Sequence, residues 1–312
     1  MIELLMEALM SLCEAVYIPH SLILRYGGVN EVAVQVALGN LKLCRGEAYG
    51  ELAYMAKPPI VTLKGPVKAN CIVSRRCGEA LEFSINIPRK PLIVIDVSMW
   101  SMHTRSELNS LISQIIGSIR EVRRYLWDGA LALTGVDEGF MEVFKRALGG
   151  MRTAVGIFKS IRDVALDNAV VLDPYGDVEA DESLIRGAGA FIIGGIVDSE
   201  VAKPRATAEL ASRLGLNLPR VRLTFKGSLT GVPDRINKIV SIILMVRFSG
   251  YSLEDAILAN QSRADKYSAL NRLANMCRVC DYAKLAELAY SLGLPGDEKT
   301  MAVVRRFANR VR

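Results

Sequence analysis

The sequence predicts an α/β protein: a mostly parallel sheet covered by helices, with a small β-rich segment before it and a helical segment after it. Three observations carry this. From Pro91 onward, short apolar runs alternate with amphipathic stretches, the grammar of a sheet wound with helices. Between residues 30 and 88, apolar and polar residues alternate instead and are punctuated by Gly and Pro. Beyond Gly250 the strand-like runs stop and only helical periodicity continues.

The N-terminal "MIELLMEALMSLCEAV" places Ile2, Leu5, Met6, Leu9, Leu12 and Val16 at helical spacing, and it carries acids where a signal peptide needs bases. It reads as an amphipathic helix of a cytoplasmic protein. The segments "EVAVQVALG", "YGELAYMAK", "PPIVTLKGPVKANCIVSRR" and "ALEFSINIP" then read as strands of the β-rich module. "NIPRKP" at 86–91, with two prolines and two bases, marks the boundary. This gives three expected domains: 1–88, 89–250 and 251–312.

"LIVIDVS" (92–98) is a continuous apolar strand of the kind buried on both faces. Thr104 and Glu107 have capping-box spacing and open a long helix to about Trp127, with Leu108, Leu111, Ile112, Ile115, Ile116, Ile119 and Val122 on one stripe. Further strands are read in "GALALTG" (129–135), "RTAVGIF" (152–158), "NAVVLDP" (168–174), "AFIIGG" (190–195) and "RVRLTF" (220–225). "SLEDAILANQS", "KYSALNRLANMCRV", "DYAKLAELAYSLG" and "DEKTMAVVRRFANRVR" read as four short amphipathic helices.

Composition narrows the function. The 312 residues are 51% hydrophobic and 23% charged, as in globular proteins. The densest apolar run, "IVSIILMV" at 239–246, falls far short of the roughly 20 residues of a membrane span. A net charge of +6 leans toward a polyanionic partner. Four arginines occupy the last eight positions (Arg305, Arg306, Arg310, Arg312), and Arg120, Arg123 and Arg124 cluster at a helix end. With only His20 and His103 present, histidine-driven catalysis and histidine-rich metal sites have little to work with. Cys277 and Cys280 form C-x-x-C, but their zinc partners would be Cys71 and Cys77, whose spacing is not that of a knuckle. No metal is expected; buried cysteines at i and i+3, or a disulfide, are the ordinary readings.

Open parallel sheets bind ligands outside the carboxyl ends of their strands. Three such loops stand out: "LDPYGD" after 172, "GGIVD" at 194–198 and "KGSLTGVPDR" at 226–235. A dinucleotide site is excluded at its own fingerprint, because the first strand is followed by "VSMWSMHT" without a glycine, and Ile192 fills the third-glycine place after "GAG". Neither a P-loop nor a G-x-S-x-G elbow occurs.

"PLIVIDVSMW" with its long helix, "FIIGGIVDSEVAKPRATAELASRLGL", "PRVRLTF" and "GVPDRINKIVSIIL" resemble the SPOUT-class tRNA methyltransferases that modify N1 of the purine at position 9. The resemblance spans roughly residues 90 to 250. It implies a C-terminal trefoil knot holding S-adenosylmethionine, tRNA as partner, and a monomer. Leu172, Gly194, Gly195, Leu223, Thr224, Thr230 and Val232 match its cofactor-cradling loops, and Asp198 matches its acid beside the methyl acceptor. Loop statistics alone read Asp198 as a capping or salt-bridging residue. Where related sequences often read "LTxNQ", this one has "TGVPDR".

Adenine N1 can attack a methyl group directly, whereas guanine N1 carries a proton that a base must remove, so Asp198 is the candidate base or hydrogen-bond acceptor. Asp96 and Asp173 are second choices that also read as strand-end and turn residues. Arg105, Arg120, Arg123, Arg124, Lys203, Arg205 and Lys226 are candidates for phosphate contacts, and Trp100 and His103 for touching a base. The rival functions are another SPOUT RNA methyltransferase, such as one acting on a ribose 2′-hydroxyl, and a non-catalytic RNA-binding protein.

Overall fold

The computed structural model describes residues 2–85, 90–197, 217–277 and 281–308. The chain divides into two compact units, residues 1–165 and 166–312. No helix among the described residues is long and apolar enough to cross a membrane.

The first unit opens with α1 (Ile2–Leu9), β1 (Val16–Tyr17), α2 (His20–Tyr26), α3 (Val29–Ala37) and the long strands β2 (Lys42–Tyr54) and β3 (Ile60–Ser74). The strands form a three-stranded sheet in the order β1-β3-β2, with β2 and β3 antiparallel. Ile2, Leu5, Met6 and Leu9 of α1 are buried in one core with Val32, Val36, Leu43, Ile60 and Val73.

Two strand expectations here are corrected. "EVAVQVALG" belongs to helix α3. Val32 through Val36 are all buried, because the helix also packs against a second helix, α4 (Arg105–Tyr125), where the Asn30 amide donates to the Arg123 carbonyl at 2.6 Å. Burial on both sides fills in the polar face that marks an amphipathic helix. "ALEFSINIP" forms no strand over its described residues 80–85. Ala80 makes a single bridge to Cys44, and Leu81, Phe83 and Ile85 pack on the core instead.

Cys71 and Cys77, the partners a zinc reading would have needed, are taken by two disulfides, Cys13–Cys71 and Cys44–Cys77. Cys277 is also disulfide-bonded, and no metal-holding cluster occurs among the described residues. The bridges span 58 and 33 residues. In the chain-entropy account each removes unfolded-state freedom worth about 4 kcal/mol.

The remainder of this unit holds β4 (Leu92–Asp96), α4, β5 (Leu131–Thr134), α5 (Glu138–Leu148) and β6 (Gly156–Ile157), with parallel strands in the order β6-β5-β4. Helix α4 begins as its sequence demands. The Thr104 hydroxyl accepts from the Glu107 N–H, and the Glu107 carboxylate accepts from the Thr104 N–H.

The second unit runs β7 (Ala169–Leu172), β8 (Val178–Glu179), α6 (Glu182–Gly187), β9 (Ala190–Gly194), β10 (Arg220–Arg222), α7 (Ile236–Phe248), α8 (Leu253–Asn260), α9 (Arg263–Met276), α10 (Tyr282–Ser291) and α11 (Glu298–Ala308). Its strands are parallel in the order β9-β7-β10-β8. Both units therefore carry the parallel α/β pattern expected. The four helices expected after Gly250 form as α8 to α11. Serines 252 and 262 cap the first two, with Ser262 and Asp265 making a full capping box.

Candidate functional site

Register aligns the ends of three strands in the second unit. Leu172 at the end of β7 pairs with Ile193 of β9 and with Val221 of β10. The segments that follow, Asp173–Asp177, Gly194–Val197 and Leu223–Val232, therefore leave the sheet at its carboxyl edge, where parallel sheets take their ligands.

The first of these loops is pinned from below. Asp173 is buried, and its carboxylate accepts from Arg220 Nε (2.9 Å) and Nη2 (2.7 Å) and from the Tyr175 N–H (2.9 Å). Asp173 is thus a buried ion-pair partner that shapes the loop. Beside it, Glu179 accepts from the Thr224 hydroxyl at 2.5 Å and from Arg222 at 3.2 Å. The Thr224 bond, followed by the Arg222 bond, holds the Glu179 carboxyl below the usual carboxylate range. Tyr175, Asp177, Glu179, Arg222, Thr224 and Ser228 line a cavity of about 390 Å³, within the range of small-molecule sites.

The third loop is a tight construction. Phe225 N–H donates to Ser228 O (2.7 Å) and Ser228 N–H donates back (3.2 Å), while Lys226 and Gly227 between them have φ of 49° and 71°. Two successive positive φ values are the signature of a type I′ hairpin turn. A second turn follows, closed by Val232 N–H on Leu229 O (3.0 Å), with Gly231 at φ 93°. Two helical side chains hold this loop. Gln261 Nε2 donates to Gly231 O (2.7 Å), and Arg272 Nη2 donates to Phe225 O (3.1 Å) and Lys226 O (3.2 Å). Sequence reasoning missed both residues, because their partners are backbone carbonyls 30 to 47 positions away.

The matched cofactor residues thus fall on the three loops, but in different states. Leu172 and Leu223 are buried, Gly195 is buried, Gly194 and Val232 are half-buried, and Thr230 is exposed. Thr224 alone among them lines the cavity. Asp198, Lys203 and Arg205 lie outside the described residues.

The arginines of α4 separate. Arg105, Arg120 and Arg124 are exposed, the last paired with Glu121 at 3.1 Å. Arg123 points inward: its Nε and Nη2 donate to Asp128 at 2.6 and 2.7 Å, and Nη2 also reaches Arg152 O at 2.9 Å. With both groups buried, Arg123 is a structural ion pair and not a surface base. Lys226 is exposed over the Phe225 ring, and Arg305 and Arg306 are exposed on α11, whereas Arg310 and Arg312 are outside the described residues.

Three further expectations resolve into local structure. Asp96 is buried and accepts from the Ser98 N–H and hydroxyl and from the Thr134 hydroxyl. Trp100 donates to Asp137 at 3.0 Å and packs edge-on against Phe140. The His103 ring meets the Trp100 carbonyl at 3.0 Å.

Fold and loops define a parallel α/β protein with a candidate small-molecule site at the carboxyl edge of the second unit's strands. The cavity's hydroxyls, the Tyr175 ring and glycines where backbone can approach fit an adenosyl amino acid, while Glu179 and Arg222 are paired with each other across it. No family model matches the chain. Among known proteins, it is 37% identical over 222 residues to the tRNA (adenine(9)-N1)-methyltransferase of Sulfolobus acidocaldarius, covering 71% of this chain and 70% of that one. It is 32% identical over 184 residues to the tRNA (guanine(9)-/adenine(9)-N1)-methyltransferase of Thermococcus kodakarensis, covering 58% of this chain and about half (50%) of the relative's length. Its structure superposes with a TM-score of 0.78 on the crystal structure of Sulfolobus acidocaldarius Trm10 in complex with S-adenosylhomocysteine, at 28% identity and over 98% of both chains. The chain belongs to the Trm10 family of tRNA purine-9 N1-methyltransferases.

Proposed function

We propose that this chain transfers a methyl group from S-adenosylmethionine to N1 of the purine at position 9 of tRNA. The observation that carries the reading is the superposition over 98% of the chain on a Trm10 holding S-adenosylhomocysteine.

When bound, S-adenosylmethionine supplies an electrophilic methyl group on a sulfonium. The chain's contribution is to hold donor and acceptor in line and to exclude water. Leu172, Gly194, Gly195, Leu223, Thr224, Thr230 and Val232 are the residues to hold the cofactor, the buried leucines through their backbone groups. Target N1 lies on the pairing edge of the base, so the nucleotide must leave its stack to reach the pocket. Asp198 serves as base toward guanine N1 or as acceptor from the adenine amino group. Arg105, Arg120, Arg124, Lys203, Arg205 and Lys226 are the candidates for phosphate contacts. The same reading includes a trefoil knot within 89–250, flanking modules at 1–88 and 251–312 that extend the RNA contact, and a cytoplasmic monomer.

The test uses labelled S-adenosylmethionine and unmodified transcripts with A or G at position 9, the methyl group being located by mass spectrometry. Methylated purine 9 on at least one transcript is expected; none on either rejects the reading. Asp198→Asn is expected to slow guanine methylation far more than adenine methylation, and equal small losses would leave Asp198 as a positioning group.

A further inference from the structure

We propose that Gln261 and Arg272, on the helical segment after the sheet, are positioning residues for the cofactor: they clamp the 225–232 loop in its ligand-holding shape. The proposal rests on the reading of that loop as a cofactor wall given above.

The loop asks for outside support. Lys226 occupies the left-handed region (φ 49°), where an L side chain crowds its own backbone, and Gly227 and Gly231 are left-handed too. Three backbone bonds hold it from within: the Phe225–Ser228 exchange and the Val232–Leu229 turn. Helices α8 and α9 add three from outside, all to carbonyl oxygens. Arg272 Nη2 bridges the two carbonyls that flank the strained peptide, Phe225 O and Lys226 O, and Gln261 Nε2 takes Gly231 O. Both ends of the loop are thereby fixed to the α8–α9 pair, one at the junction and one along α9.

The α8–α9 junction is itself well determined. Gln261 caps α8, its N–H bonded to Ile257 O at 2.9 Å, and the next residue, Ser262, opens α9 with a capping box. The Gln261 side chain is buried at 8% exposure, so its amide does not swing freely. Ala269 of α9 completes the seat: a Cβ on Gly231 would lie 3.0 Å from its methyl group. The helical segment is thus a brace for the site in the same unit, a role separate from any contact it makes with RNA.

The experiment uses the full chain. Gln261→Met keeps the side-chain length and removes the donor, Arg272→Met removes both carbonyl bonds, and Arg272→Lys keeps a cationic donor. S-adenosylhomocysteine binding is measured by calorimetry, and KM for S-adenosylmethionine and for tRNA separately. Each methionine variant is expected to bind S-adenosylhomocysteine about tenfold more weakly, roughly 1.4 kcal/mol. KM for S-adenosylmethionine should rise in parallel while KM for tRNA stays within about twofold, and Arg272→Lys should recover most of the loss. Wild-type affinity in both methionine variants, even with lowered melting temperature, overturns the clamp and leaves a stability role.

Should the variants not fold, hydrogen exchange on the wild type decides. S-adenosylhomocysteine is expected to slow exchange in 225–232 and in 253–276 together; protection of the loop without the helices rejects the coupling. A wild type that binds no S-adenosylhomocysteine and methylates no tRNA instead rejects the functional reading, and the clamp with it.

Discussion

Asp173 and Arg220 form a two-pronged ion pair, Nε and Nη2 of the guanidinium lying 2.9 and 2.7 Å from one carboxylate oxygen at the base of the first site loop. The carboxylate is fully buried while the guanidinium is about a third exposed. Removing the arginine strands a desolvated charge with only the Tyr175 N–H for company. Arg220→Ala is therefore expected to cost about 2–3 kcal/mol in urea unfolding, more than Asp173→Asn, which leaves no buried charge. The double variant should fall short of the summed losses by about 1 kcal/mol or more. Additive losses would show that the two residues act independently.

Arg123 and its neighbours on α4 give a second contrast. Arg123 is locked to buried Asp128, whereas Arg120 and Arg124 stand at the surface. Arg123→Ala is expected to destabilise by about 3–5 kcal/mol. Arg120→Ala and Arg124→Ala should leave melting unchanged and flatten the dependence of tRNA affinity on salt by about one phosphate contact each. If the surface variants keep the wild-type salt slope, this face of α4 does not meet the RNA.

The difference between these arginines was not legible in the sequence. Arg123 follows Ile119 by four positions and Ile115 by eight, but Arg120 follows Ile116 and Ile112 of the same stripe by the same steps. Only the buried Asp128, met in space, tells them apart. The start of α4 was fully legible, since a capping box is a local pattern with a fixed spacing. By contrast, α3 reads as a strand because burial on two sides erases its polar face. The cysteine pairings were not legible, because connectivity is set by which strands meet in space. At the site, the three loops follow from strand order and apolar runs, but Gln261 and Arg272 do not. A side chain bonded to distant backbone leaves no signature of its partner's residue type.

Gly227 and Gly231 differ in a way that a substitution can read. Both have positive φ, 71° and 93°, yet a Cβ at Gly227 would meet nothing within 4 Å, while one at Gly231 would lie 3.0 Å from the Ala269 methyl and 3.1 Å from Gln261 Nε2. Gly227→Ala is expected to cost about 1–2 kcal/mol, the backbone strain alone. Gly231→Ala adds overpacking, for a total of about 2–4 kcal/mol. Thermal unfolding of the two variants compares them directly, and equal losses would show that α9 yields without resistance.

Asp297 joins the start of α11 to α9. Its carboxylate accepts the Thr300 N–H at 2.9 Å and the Arg263 guanidinium at 2.5 Å. These bonds, the backbone N–H first and the guanidinium second, hold its pKa down to about 2 from a usual 3.8. A depressed folded-state pKa means that the unfolded chain takes up the proton first as acid is added. The stabilisation is therefore complete above about pH 4 and lost as pH falls through about 2. Because the group is solvent-exposed, the effect is small. Asp297→Asn keeps an oxygen for the Thr300 cap and removes the charge. The gap in stability between wild type and Asp297→Asn should be steady from neutral pH to about 4, then close toward pH 2. No gap at any pH would assign the residue's contribution to the cap that asparagine also makes, with the charge and its Arg263 pairing adding nothing.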